Sequence, residues 1–277
     1  MSGFNASWLD LREPADHRSR SEELAKLLAR ALDRRSPISV LDMGCGTGSN
    51  LRATAPWLGA EQHWTLVDYD AALLDAARTR LAAWASKSET RGNHLLLHKD
   101  GKHITVELRR ADLARDLDLV FAARPDLVTA SALFDLGSAD FISEVAAEVV
   151  RCRAVFYTVL TYNGQQRWTP KHDADAAMAS AFRAHQTRDK GFGDSAGPMA
   201  PALLSAAFDA AGYSVTEGDS AWRLEPGDED LIAELVPGFA AAVRDTALVP
   251  DDKVAAWLKT PRTGALVGHT DTLALPP

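Results

Sequence analysis

The chain has 277 residues, 46% hydrophobic and 25% charged, with 30 Lys and Arg against 38 Asp and Glu for a formal net charge of −8. That is ample material for one large core and too apolar for a disordered chain. The acidic balance argues against DNA or RNA as the main partner, because neutralising phosphates takes clustered Lys and Arg, and two cysteines, Cys45 and Cys152, rule out a disulfide-dense scaffold or a cysteine-rich zinc site.

No apolar run approaches the ~20 residues of a membrane span. The N-terminal segment has no continuous apolar stretch and carries charge from Asp10 onward. A secretory signal is not expected there, nor a membrane partner, and the expected location is the cytoplasm.

The first clear helix is expected at Ser19–Leu32, where Ser19 and Glu22 have capping-box spacing and Leu24, Leu27, Leu28, Ala31 and Leu32 share a stripe. Asp33–Pro37 is a polar break. Ile38–Met43 reads as a buried parallel strand, followed at once by Gly44, Gly46 and Gly48. A helix from about Asn50, a strand Trp64–Val67 ending in Asp68, and a helix Ala71–Trp84 come next. This order implies a parallel sheet with right-handed crossovers. His94–His98 and Ile104–Arg109 read as two strands joined around Asp100-Gly101. Leu127–Ala132 and Ala154–Leu160 are further buried strands, with a helix Phe141–Val150 between them. Helices are expected at Ala174–His185 and Ala200–Ala211, a short strand at Tyr213–Glu217, helices at Glu229–Arg244 and Asp251–Leu258, and a closing strand at Gly264–Leu275. Gln186–Pro201, rich in glycine and charge, reads as a loop.

The segment Leu41-Asp42-Met43-Gly44-Cys45-Gly46-Thr47-Gly48 carries the most information. A strand ends, the backbone turns tightly and a helix begins. Glycines permit positive φ and let a ligand touch the main chain, at the carboxyl edge where open α/β sheets bind ligands. Asp68 ends the second strand, where a carboxylate can accept both hydroxyls of a ribose. Together they select a nucleoside-containing ligand without identifying it. The dinucleotide fingerprint has its third glycine one place later, and Asp42 precedes the first glycine by two residues. Both departures disfavour NAD.

At these residues the sequence resembles the class I S-adenosylmethionine-dependent methyltransferases. Asp42–Gly48 is similar to their first motif and Val67-Asp68-Tyr69-Asp70 to their second. Ala111-Asp112-Leu113 is similar to the acidic turn after the third strand, and Asp126–Leu133 to the fourth-strand motif. The resemblance covers roughly Ile38 to Leu160. It implies a Rossmann-like α/β fold, a seven-stranded mostly parallel sheet with helices on both faces. It also implies S-adenosyl-L-methionine as cofactor. Gly44 and Gly46 would face its methionine and ribose parts, and Asp68 the ribose hydroxyls. Tyr69 would lie on the adenine face, with Asp112 and the Leu113 N–H at its edge. Ser131 would lie near the methionine portion, and Asp42 is a further acceptor at a strand end. Asp112 also reads as a helix N-cap.

The expected division is an N-terminal helical cap or lid, 1–35, and a methyltransferase domain, 36–277, with a substrate loop near 185–200. The extension Trp8–Asp16 is the lid candidate, and Arg12 would pair with the methionine carboxylate; a surface arm anchored by Trp8 is the other reading. Asp135, Tyr162 and His185 are the catalytic candidates. Asp135 follows the fourth strand, Tyr162 ends the fifth, and His185 has a pKa suited to neutral pH. Plain capping roles suit Asp135 and His185 as well. Gln186, Asp189 and Lys190 are the substrate candidates, since a polar loop above a parallel sheet often carries recognition. His94, His98 and His103 follow a strand pair, and no metal is expected. The leading expectation is methyl transfer to a small-molecule O or N acceptor. The alternatives are a NAD- or nucleotide-binding oxidoreductase and a non-catalytic cofactor-binding protein. The sequence does not fix the oligomeric state.

Overall fold

In the computed structural model, which describes residues 5–277, the chain opens with helix α1 (Ala6–Ser19). Residues 1–4 of the expected cap lie outside this range. Asn5 caps the helix, its side-chain oxygen accepting from the Trp8 N–H at 2.8 Å. The sequence reading placed the first helix later. Pro14 sits inside α1, and buried Arg12 and Asp16 break up its apolar side, so periodicity does not reveal it. Ala15 is buried in the core, Trp8 and Leu11 pack against that core, and ion pairs add to the hold. Arg80 pairs with Asp10, Arg52 with Glu13, and Arg18 with Asp228 at 2.7 Å. Helix α2 (Glu22–Leu32) begins at Ser21, whose Oγ accepts from the Leu24 N–H at 3.3 Å. The expected Ser19–Glu22 box is not its cap.

The remaining helices are α3 (Ser49–Thr54), α4 (Ala71–Trp84), α5 (Leu117–Val120), α6 (Ala139–Cys152), α7 (Asp175–Gln186), α8 (Ala200–Ala210), α9 (Glu229–Thr246) and α10 (Asp251–Leu258). The strands are β1 (Ile38–Met43), β2 (Glu61–Asp68), β3 (Lys87–Arg91), β4 (His94–Lys99), β5 (Lys102–Arg110), β6 (Leu127–Ser131), β7 (Val155–Thr169), β8 (Ser214–Asp219), β9 (Trp222–Leu224) and β10 (Gly264–Leu275).

All ten strands of the described residues share one sheet, in the order β3-β4-β5-β2-β1-β6-β7-β10-β8, with β9 beside β10. Strands β5, β2, β1, β6 and β7 are parallel, and β10 runs antiparallel to both β7 and β8. The seven strands from β5 to β8 form the expected Rossmann-like sheet. The other three exceed the expected seven. β3 is exposed along its whole length and has no apolar residue to mark it; it exists by pairing with β4. β7 outruns its expected end at Leu160 because it pairs with β10 as far as Thr169.

Successive residues of β7 point to opposite faces. Val155, Tyr157 and Val159 join one apolar cluster with Leu28, Trp64 and Trp222, while Phe156 joins another with Val128, Phe134 and Phe208. Helices therefore cover both faces. The chain winds from β1 outward through β2 to β5, then returns to β6 on the other side of β1. That reversal opens a crevice at the carboxyl ends of β1 and β6. No helix among the described residues is long and apolar enough to cross a membrane.

Candidate active site

The chain leaves β1 through Gly44 at φ 65° and Gly46 at φ 51°, conformations that side-chain-bearing residues avoid. A Cβ on Gly44 would stand 3.1 Å from Leu133 Cδ1, and one on Gly46 3.0 Å from Leu9 Cδ1. The two glycines thus let the loop after β6 and helix α1 close over the turn. The turn is pinned to β2. The Cys45 N–H donates to the Val67 carbonyl at 2.9 Å and the Gly46 N–H to Asp68 Oδ2 at 2.8 Å. Asp68 Oδ1 accepts from the Asp70 N–H at 3.0 Å. Burial raises the Asp68 pKa, and these backbone donors work against the rise.

A cavity of about 580 Å³ opens on this turn, within the roughly 300–1,000 Å³ of small-molecule sites. Gly44, Gly46, Asp68, Tyr69, Asp112, Leu113, Ser131 and Arg12 all line it, so the structure gathers eight of the nine expected cofactor residues. Tyr69 is half exposed, with the Arg110 guanidinium 5.6 Å from its ring centre. Asp112 Oδ1 accepts from the Ala114 N–H at 3.1 Å, so this carboxylate also caps its own turn. Arg12 is held by Asp16, Nε to Oδ2 at 2.8 Å and Nη2 to Oδ1 at 3.1 Å, and lies 4.9 Å over the Trp222 ring.

Asp42, the ninth, is fully buried and not on the cavity wall. Asn50 Nδ2 donates to its Oδ1 at 2.7 Å, and its Oδ2 has no partner. Burial pushes its pKa up to about 7 against the pull of Asn50 and the Arg20 charge. Asn50 itself lines the cavity, so Asp42 reaches the space only through Asn50.

The expected catalytic residues separate. Asp135 and Tyr162 are buried and off the cavity wall, Asp135 within reach of the Arg12 charge, with Asp135 Oδ1 and the Tyr162 hydroxyl both unpartnered. Burial raises the Asp135 pKa to about 6, while its own backbone, the Arg12 charge and the Tyr162 backbone oppose it. Burial also raises the Tyr162 phenol. His185 is not on the cavity wall. Its Nε2 lies 3.5 Å from Asp245 Oδ2 and its Nδ1 3.4 Å from Lys190 Nζ, and burial together with the Lys190 charge lowers its pKa.

Gln186, Asp189 and Lys190 are not on the wall either; their loop reaches the cavity through Gly191 and Phe192. Asp189 Oδ1 instead accepts from the Gly191 and Gly193 N–H groups at 2.6 and 3.1 Å, which shapes the loop. The Phe192 ring packs 4.5 Å from Phe141.

Sequence reasoning missed Leu9, Asp16, Asn50, Arg110, Leu133, Leu136 and Phe192 as wall residues. A helical reading of the segment around Arg12 finds two of them, since Leu9 and Asp16 then share a face with Arg12. The others come from turns whose direction no local pattern encodes.

Residues 40–155 match the family described as Methyltransferase domain. No curated protein matches the chain. Among solved structures, a cyclopropane-fatty-acyl-phospholipid synthase-like protein from Lactobacillus casei is similar with a TM-score of 0.54 at 15% identity, covering 99% of this chain and 95% of its own. The YcgJ protein from Bacillus subtilis follows at 0.50 and 11% identity, covering 93% and 100%. These two likenesses show the fold. A methyltransferase from Thiobacillus denitrificans, solved with S-adenosyl-L-homocysteine, has a TM-score of 0.43 at 16% identity, with 98% of both chains covered.

Proposed function

We propose that this chain, whose residues 40–155 match the methyltransferase domain family, is a class I S-adenosylmethionine-dependent methyltransferase and that it methylates an oxygen or nitrogen of a small molecule in the cytoplasm. One observation carries the small-molecule reading: the space above the glycine turn is of small-molecule size, with α1 on its wall.

The residues present suit the cofactor. An acid ends β2 at one part of the wall, and a buried guanidinium stands elsewhere on it. Asp68 takes the ribose hydroxyls. Asp112 and the Leu113 N–H read the adenine edge, and Tyr69 covers its face. Gly44, Gly46 and Ser131 border the methionine part, and Arg12 receives its carboxylate. Asp42 holds Asn50 in place. Bound there, S-adenosylmethionine supplies an electrophilic methyl carbon on a sulfonium.

The chain's remaining tasks are to orient the acceptor and exclude water. Leu9, Leu133, Leu136 and Phe192 supply apolar wall for the second task. Residues 1–35 serve as a lid, with α1 as its working part. Tyr162 orients the acceptor, and Asp135 takes its proton. The loop at 185–200 acts through Gly191 and Phe192, and its polar side chains brace it.

The test incubates the full chain with methyl-labelled S-adenosylmethionine and separated cell-extract fractions. Label is expected in the low-molecular-mass fraction, in a product that has gained one methyl group. Label confined to protein or nucleic acid would overturn the reading.

A further inference from the structure

Three polar atoms of the buried interior have no partner and belong to one neighbourhood: Asp135 Oδ1, the Tyr162 hydroxyl and His269 Nδ1. The antiparallel pairing of β7 with β10 sets His269 directly opposite Tyr162, with ring centres 6.4 Å apart. Asp135 follows β6, the strand beside β7. All three residues are less than a tenth exposed. Folded chains rarely leave such groups unsatisfied, and a catalytic role or a bound water or ion is among the reasons they do.

We propose that Asp135, Tyr162 and His269 form the acceptor subsite of this enzyme, and that it takes an aromatic ring bearing a hydroxyl group. The proposal rests on the cofactor reading above. Arg12 stands between the cavity and these three residues. It lines the cavity, and its charge acts on both Asp135 and His269. It also stacks on Trp222, whose ring centre is 5.2 Å from that of His269. On this proposal the acceptor enters from the cavity past Arg12.

The class of acceptor follows from what the subsite offers. Its walls are rings: Phe182 lies 5.8 Å from Tyr162, and Trp222 flanks His269. Aromatic ligands pack well against such edges. A carboxylate or phosphate would meet the Asp135 carboxyl, and the nearby Arg12 is committed to Asp16 and, on the cofactor reading, to the methionine carboxylate. A protonated amine would pair with Asp135 but has no lone pair to offer the methyl carbon. An aliphatic alcohol is too weak an acid for these groups, whereas a phenol ionises near ~10.

Burial, reinforced by the Arg12 charge, lowers the His269 pKa to about 3, so the ring stays neutral and acts as a hydrogen-bond partner. Asp135 is the proton acceptor. As the acceptor oxygen bonds the methyl carbon, the carbon–sulfur bond breaks with its electron pair left on sulfur. The hydroxyl proton passes to Asp135 Oδ1.

The test uses the full chain saturated with S-adenosylhomocysteine and isotopically labelled at histidine. It is titrated with phenol, benzoate or benzylamine, with the His269 resonance assigned by His269→Gln. Phenol is expected to shift that resonance saturably, and the other two to leave it in place. Tyr162→Phe is expected to weaken phenol binding by about ten-fold while calorimetry shows unchanged S-adenosylhomocysteine affinity. An unmoved His269 resonance under phenol, a preference for benzoate or benzylamine, or an indifferent Tyr162→Phe would overturn the subsite and leave the cofactor reading standing. Failure of S-adenosylhomocysteine itself to bind would overturn both.

Discussion

The Gly46 backbone N–H donates to Asp68 Oδ2 at 2.8 Å, and this one bond joins the turn after β1 to the end of β2. It orients the carboxylate proposed to take a ribose and fixes a backbone that a Cβ would push off Leu9. The strand-end acid and the glycine turn therefore form one device.

Substitution of Gly46 tests that device. Gly46→Ala places a side chain at φ 51°, against Leu9, whereas Gly92→Ala places one at φ 58° with nothing within 4 Å. Each left-handed residue costs roughly 1–2 kcal/mol, so both variants are expected to melt earlier than wild type. Only Gly46→Ala is expected to weaken S-adenosylhomocysteine binding, by about ten-fold or more. Equal calorimetric affinities in the two variants would separate the turn from the site.

Glu13→Gln tests how α1 is held. The Arg52 side chain is 7% exposed and bonds both Glu13 and the Thr47 carbonyl, the latter at 2.8 Å. Loss of the carboxylate leaves a buried cation with one partner fewer. The cost is expected to fall below the ~3–5 kcal/mol of a fully buried pair, since Glu13 keeps 19% exposure. Hydrogen exchange in α1 is expected to accelerate, with exchange in β1 unchanged. Protection of α1 equal to wild type would show that its other ties suffice.

Asp42 predicts an unusual pH dependence. Its folded pKa, about 7, lies above the ordinary 3.8, so the folded state keeps a proton that the unfolded chain releases between those values. Stability therefore falls as pH rises from 3.8 to about 7, and Asp42 adds no slope outside that window. The whole effect is on the order of 4 kcal/mol. Asp42→Asn, which still accepts from Asn50, is expected to flatten this part of the profile. Denaturant melts at several pH values compare the two slopes, and parallel curves would refute the assignment.

Asp135→Asn removes the proposed proton acceptor. Methyl transfer is expected to fall by about 10²–10⁴-fold, with cofactor affinity retained. In the wild type the rate is expected to rise with pH through about 6, as the Asp135 carboxyl ionises. That limb disappears in the variant. A rising limb that persists in Asp135→Asn would assign the proton to another group.

Local patterns reveal some of this site and hide the rest for physical reasons. Gly44, Gly46 and Asp68 were legible because a strand–turn–helix with positive φ leaves glycines at fixed spacing, and an acid at the next strand's end completes it. Arg12 was legible as a site candidate, yet its helix was not, because α1 buries Arg12 and Asp16 beside Ala15 and adds ion pairs through Asp10, Glu13 and Arg18. His269 was invisible. It sits in a long strand with no neighbouring motif, and its meaning comes from Tyr162, far earlier in the chain, through the β7–β10 register. His185 had the right chemistry and the wrong surroundings, since only tertiary packing sets it against Asp245.

Calorimetric titration of the full chain with S-adenosylhomocysteine, beside Asp68→Ala, tests the site most directly. Wild type is expected to bind one equivalent. Asp68→Ala, stripped of the proposed ribose acceptor and of the partner of the Gly46 N–H, is expected to bind at least about ten-fold more weakly. No binding by wild type, or equal affinity in the variant, would contradict it.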